Sequence, residues 1–107
     1  VSIAAAQAVL KYIKDENLQE HCKKAGAALL KALKEVQERH PESVGDVRGA
    51  GLFLGFEFVK NDGNKTPDKD MALNVIEMLR DEHILTSVIG HYGNILKLRP
   101  PMVFSEN

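Results

Sequence analysis

The sequence predicts a small α+β domain in which a short, largely antiparallel sheet is covered by helices. Three observations carry that expectation. Residues 1–40 repeat apolar side chains at helical spacing, as a helical lead-in. Residues 44–104 are broken into short apolar runs bounded by glycine and turn chemistry, which suits strands in an α+β core. A single further helical pattern, from Thr66 to about Glu82, interrupts that second set. The expected order is helix, helix, strand, strand, helix, strand, strand.

From Ser2 to Lys14, Ile3, Ala6, Val9, Leu10 and Ile13 recur at helical spacing. Asp15-Glu16-Asn17 breaks the pattern, and Asn17 with Glu20 three residues on resembles a capping box. Leu18 to His40 carries Cys22, Ala25, Leu29, Leu33 and Val36 on one face and lysines and glutamates on the other, and Pro41 ends it. Three glycines lie in Val44 to Gly51. Leu52 to Val59 then sets Leu52, Leu54, Phe56 and Phe58 on one face and Phe53, Gly55, Glu57 and Val59 on the other, the pattern of a strand packed on both sides. Lys60 to Lys65 is a polar turn. Thr66 reads as an N-cap with Pro67 at the first helical position, and the helix after it turns Met71, Ala72, Val75, Ile76 and Leu79 inward. Ile84 to Val88 and Ile95 to Leu98 read as the last two strands, and Pro100-Pro101 closes the second. Ser105 followed by polar residues reads as a cap for a helix beyond Asn107, so the 107 residues are expected to be a single piece of a longer polypeptide.

Composition narrows the function. Fourteen Lys and Arg against fifteen Asp and Glu give a net charge of -1, which offers no general pull toward nucleic acid or an anionic membrane. No apolar run approaches the roughly 20 residues that span a bilayer. A lone cysteine, Cys22, excludes an internal disulfide and a multi-cysteine zinc site, and a cytoplasmic protein is expected. Cys22 falls on the apolar helix face and reads as a small hydrophobe rather than a reactive thiol. The four histidines lack metal-ligand spacing, so no metal site is expected. His21, His40 and His83 read as solvated, and His91 is either an exposed loop residue or a binding residue in its glycine-flanked loop. Gly49-Ala50-Gly51 precedes a strand rather than a helix, and no G-K-[ST] follows, so the glycines serve sharp turning and close packing instead of phosphate. Lys97 and Arg99 are two apart on a strand and project from one face. They suit an anionic ligand, and they equally suit the solvent-facing side of a half-buried strand.

Two segments together resemble a known family. Val44-Gly45-Asp46-Val47-Arg48-Gly49-Ala50-Gly51-Leu52-Phe53-Leu54-Gly55-Phe56-Glu57 is similar to the V-R-G-x-G-L-x-x-G-x-E signature of class III pyridoxal-phosphate-dependent aminotransferases. Asn94 to Pro101 resembles their N-x-[IL]-[RK]-x-x-P-P strand, and Val1 to Leu10 resembles the helix leading into their small domain. Lys97 to Phe104 is most like the branch of alanine-glyoxylate aminotransferase 2-like proteins and ethanolamine-phosphate phospho-lyases.

The resemblance implies the C-terminal small domain of a fold-type I enzyme whose larger domain supplies the Schiff-base lysine and most contacts to pyridoxal 5'-phosphate. It therefore implies no catalytic and no cofactor-binding residue in this stretch, which alone would be inactive. It implies a parent that moves an amino group from an amine or amino acid to an oxo acid, and that dimerises with itself. Phosphate elimination from an amino-alkyl phosphate, and a non-catalytic interaction module, remain as alternatives. Many members clamp the substrate carboxylate with an arginine where this chain has Lys97, so Lys97 is the expected substrate-binding residue, with Arg99 beside it. Lysine keeps the charge without the planar fork. Thr86 to His91 departs from the branch's S-x-D-G-P stretch, so substrate identity does not carry over.

Overall fold

The computed structural model describes residues 1–106. Helix α1 (Ser2–Asp15) and helix α2 (Leu18–Arg39) lead into the hairpin β1 (Val44–Ala50) and β2 (Phe53–Phe58). Helix α3 (Lys69–Asp81), β3 (Ser87–Ile89) and β4 (Ile95–Leu98) follow. The strands form one sheet in the order β1-β2-β4-β3, with every pairing antiparallel. Helices α2 and α3 both pack on the same sheet face. The core there is Val44, Val47, Phe56, Phe58, Ala72 and Leu96, with Leu33, Val36, Val75, Ile76 and Leu79 closing on it from the helices. Phe56 and Phe58 meet edge to face at 5.1 Å.

Among the described residues the sheet is covered on one side, where the sequence pattern suggested two. Leu54, Phe56 and Phe58 are buried, whereas Phe53 is 52% exposed on the opposite face. The reason is the pleat: successive residues point to opposite faces, and both packing helices lie on one of them.

Local chemistry also differs from expectation at the helix starts. Asn17 precedes α2 in the left-handed region (φ 51°, ψ 45°) and makes no side-chain cap bond, so the capping box with Glu20 does not form. A left-handed asparagine instead joins α1 to α2 in a two-residue link. Thr66 does not cap α3. Its hydroxyl is held by Asp62 and its carbonyl accepts the Lys60 amide, while Pro67 bridges to Val59. The cap falls to Asp68, whose Oδ1 accepts the Met71 amide at 3.0 Å. Within α3, Ala72 is buried as expected, but Met71 sits on the exposed rim. Strand β3 starts at Ser87 rather than Ile84. His83 leaves α3 with φ 64°, and the Ile84 amide turns back to Leu79, so Ile84 and Leu85 stay exposed. Helix α1 buries no residue, and Ile3, Val9 and Leu10 of its apolar stripe are exposed. The helix expected beyond Asn107 lies outside the described residues.

Two close approaches tie the pieces together. A Cβ on Gly26 of α2 would lie 1.9 Å from the Gly51 carbonyl oxygen, so α2 rests backbone against backbone on the β1–β2 turn. Gly51 makes that turn with φ +55°. Asn94, 2% exposed, donates its side-chain amide to the Phe58 carbonyl at 2.8 Å, and its own carbonyl accepts the Phe58 amide at 2.9 Å. This double link aligns the start of β4 with the end of β2, and so sets where Lys97 falls.

Candidate functional site

The uncovered sheet face carries the chain's organised polar chemistry. Register places Arg48, Gly55, Lys97 and Ser87 in one row across all four strands. The next row is Asp46, Glu57, Ile95 and Ile89, and Ala50 pairs with Phe53 on the other side. These residues alternate with buried ones along each strand, so they share the open face.

Arg48 Nη1 donates to Asp46 Oδ2 at 2.8 Å and to Glu57 Oε2 at 2.9 Å. Those hydrogen bonds, with Glu57 first and Asp46 second, raise the guanidinium's already high pKa. Glu57 is the diagonal neighbour of Lys97 and would be its natural counterion, but Arg48 holds it. Among the described residues no carboxylate pairs with Lys97, which is half-buried. Its carbonyl is fixed by the Thr86 hydroxyl. The result is a lysine on a fixed stretch of backbone, with its charge free to meet an anion. Arg99, beyond the last ladder pair, is exposed.

The structure thus brings Lys97 together with Arg48, Glu57 and Gly55. The sequence reading singled out Lys97 and Arg99 but missed the Arg48–Glu57 pair. The signal was available: folding the hairpin about Gly51-Leu52 sets Arg48 opposite Gly55 and Asp46 opposite Glu57. The histidines stay apart. His21 is not simply solvated, since its Nε2 lies 2.6 Å from the Phe104 carbonyl oxygen. His40 is exposed near Glu42, and His91 is exposed with Tyr92 edge-on at 4.8 Å. Cys22 is half-buried with Sγ 3.7 Å from the Met102 carbonyl oxygen. Among the described residues no cluster could hold a metal ion, and no helix is long and apolar enough to cross a membrane.

A concavity of about 890 Å³ lies between α2 and α3 on the helix-covered side of the sheet. Leu33, Val36, Phe56, Phe58, Val75 and Leu98 dominate its lining. Its walls are mostly apolar, and Thr86, Ser87, Lys97 and Arg99 line its rim, so both cations singled out in the sequence border it.

The described residues do not fit pyridoxal phosphate. Every lysine among them except Lys97 is exposed, and Lys97 borders a mostly apolar concavity without the carboxylate and phosphate contacts such a cofactor needs.

A family model described as aminotransferase class-III matches residues 1–107. The chain is 44% identical to ethanolamine-phosphate phospho-lyase homolog 1 of Caenorhabditis elegans, covering 100% of this chain and 23% of that protein. It is 36% identical to alanine–glyoxylate aminotransferase 2 homolog 2, mitochondrial, of Arabidopsis thaliana, covering 100% and 22%. Among solved structures, a phospholyase from Arthrobacter in complex with phosphoethanolamine matches with a TM-score of 0.89 and 37% identity, covering 96% of this chain and 24% of that one. The chain spans about a quarter of the length of the relatives it matches.

Proposed function

The chain belongs to the class III aminotransferase family, and we propose that it is the C-terminal small domain of a longer pyridoxal-phosphate-dependent enzyme. The parent moves an amino group from an amine or amino acid to an oxo acid, and works in the cytoplasm as a homodimer. The remaining part of the parent binds the cofactor, supplies the Schiff-base lysine and packs against the exposed apolar stripe of α1. These 107 residues alone are inactive. A single free cysteine suits the reducing cytoplasm.

One observation carries the reading: Lys97, half-buried in β4, has no carboxylate partner among the described residues, and Arg48 holds the neighbouring Glu57. This part of the sheet closes over the substrate, and Lys97 binds and orients its anionic end. The charge network around Arg48 keeps Glu57 from quenching Lys97.

A second reading, phosphate elimination from an amino-alkyl phosphate, is favoured by lysine at this position. An ammonium point charge serves a phosphate well, and it lacks the fork that pairs with a carboxylate's two oxygens. The likeness to two phospho-lyases agrees with it. The two readings separate by product: elimination releases inorganic phosphate from phosphoethanolamine without an acceptor, whereas transamination requires an oxo acid.

The test is Lys97→Ala in the full-length parent. Loss of a charged hydrogen bond worth roughly 1.5–3 kcal/mol raises KM for the anionic substrate about 10- to 100-fold, and Lys97→Arg restores part of it. Unaltered kinetics in Lys97→Ala would remove Lys97 from the site.

A further inference from the structure

Gly55 stands apart among the eight glycines. Gly51, Gly63, Gly90 and Gly93 have positive φ, which a side chain resists. A Cβ on Gly26, Gly45 or Gly49 would come within 3.0 Å of a neighbouring atom. At Gly55 neither reason holds: its φ is ordinary, and an added Cβ would meet only Ile95 Cγ2 at 3.4 Å. Glycine in the middle of a strand forfeits stability and packing, and it marks places where a ligand or another backbone comes close. Among the described residues, its chain neighbours apart, nothing else comes within 4 Å of such a Cβ, so the reason for glycine here lies outside them.

Its surroundings say what kind of group that is. Gly55 lies between Arg48 and Lys97 in one row, with strands about 4.8 Å apart on either side. Along its own strand Phe53 and Glu57 bound the same face. The missing side chain therefore leaves bare backbone between Lys97, which pairs with no carboxylate among the described residues, on one flank, Arg48 with its Glu57 partner on the other and the exposed Phe53 at one end.

Resting on the reading of Lys97 above, we propose that Gly55 is a specificity-determining residue, its bare backbone seating the oxyanion end of the substrate against Lys97. The occupant is a phosphate or carboxylate carried on a short amine. Any side chain at position 55 would fill its seat.

The experiment compares the full-length parent with Gly55→Ala and Gly55→Val. It reads the binding of phosphoethanolamine and of alanine by calorimetry, KM and kcat in turnover, and the thermal midpoint. One or three extra carbons in the seat should weaken whichever ligand the wild type binds, by about tenfold or more for Val and less for Ala. For Ala the thermal midpoint should stay within about 2 °C, because its added Cβ meets only Ile95 Cγ2 at ordinary contact distance. Should Gly55→Val not fold, Gly55→Ala carries the comparison. Weakening confined to phosphoethanolamine identifies a phosphate seat, and weakening confined to alanine a carboxylate seat. Unchanged binding in both variants of an active parent overturns the seat alone. So does a lowered midpoint with unchanged binding, which would mean that another segment of the parent packs on Gly55. A wild type that binds phosphoethanolamine without turning it over refutes the phosphate-elimination reading and leaves the seat standing. Binding of neither ligand by the wild type overturns both.

Discussion

Gly26→Ala sets two physical effects against each other, and the structure decides between them. Within an α-helix, alanine is favoured over glycine by about 0.8–1 kcal/mol, so intrinsic propensity predicts a more stable chain. Position 26, however, is buried, and its new Cβ would lie 1.9 Å from the Gly51 carbonyl oxygen and 2.4 Å from the Gly51 carbonyl carbon. Both sides of that contact are backbone, so no rotamer change relieves it. Restoring ordinary contact at about 3.4 Å means moving α2 off the hairpin by roughly 1.5 Å. That shift loosens the packing of Leu18, Ala25 and Leu52, all under a tenth exposed. Overpacking of this kind costs typically 1–3 kcal/mol, and the rigidity of both partners places it at the upper end. The net expectation is a loss of about 1–2 kcal/mol after the helical gain is subtracted. Urea denaturation of the chain followed by circular dichroism reads the midpoint directly. A variant as stable as the original, or more so, would refute the backbone-on-backbone contact.

Asn94→Leu should cost about 0.5–1.5 kcal/mol, because it removes one buried donor from the Phe58 carbonyl, which keeps the Asp68 amide at 3.1 Å, while roughly keeping volume. A midpoint shift well below that range in the same assay would show that the link is dispensable. In the turn before α3, Asp62 accepts the Thr66 hydroxyl and the amides of Thr66 and Asn64, and the hydroxyl bond leads in holding its pKa below the usual carboxylate value. A lowered folded-state pKa gives stability that is present above the ordinary aspartate pKa and is lost as pH falls through the lower one. Thr66→Val should therefore raise the Asp62 pKa, read by NMR titration of its carboxyl, and an unmoved titration would contradict the turn's wiring. Arg48 contributes nothing to pH dependence in any working range, since its pKa is raised from an already high value.

The periodic elements were legible because a period needs only one segment to show it. Helices α1 and α2, the buried alternation of Leu54, Phe56 and Phe58, and the β4 run are read from spacing alone. What stayed hidden depends on two segments meeting. Nothing in the run around Gly26 announces Gly51, and nothing in Asn94 announces Phe58. The one-sided cover of the sheet was hidden because Phe53 and Val59 look alike as apolar residues, yet one is half exposed and the other buried. Thr66-Pro67 offered a good cap signal, and Asp62 and Lys60 took up its groups first. At the site, Lys97 stood out as a cation in an apolar strand, while Arg48 looked like part of a glycine motif until the hairpin set it beside Glu57.

The central claim is that these residues form the substrate-facing small domain of a pyridoxal-phosphate enzyme whose cofactor is held elsewhere in the parent. Adding pyridoxal phosphate to the full-length protein, reducing with borohydride and mapping the modified lysine by mass spectrometry tests it most directly. The account predicts one stoichiometric adduct on a lysine upstream of Val1 and none on Lys97. An adduct on a lysine within these 107 residues, or no adduct on a folded protein with cofactor in excess, would contradict it.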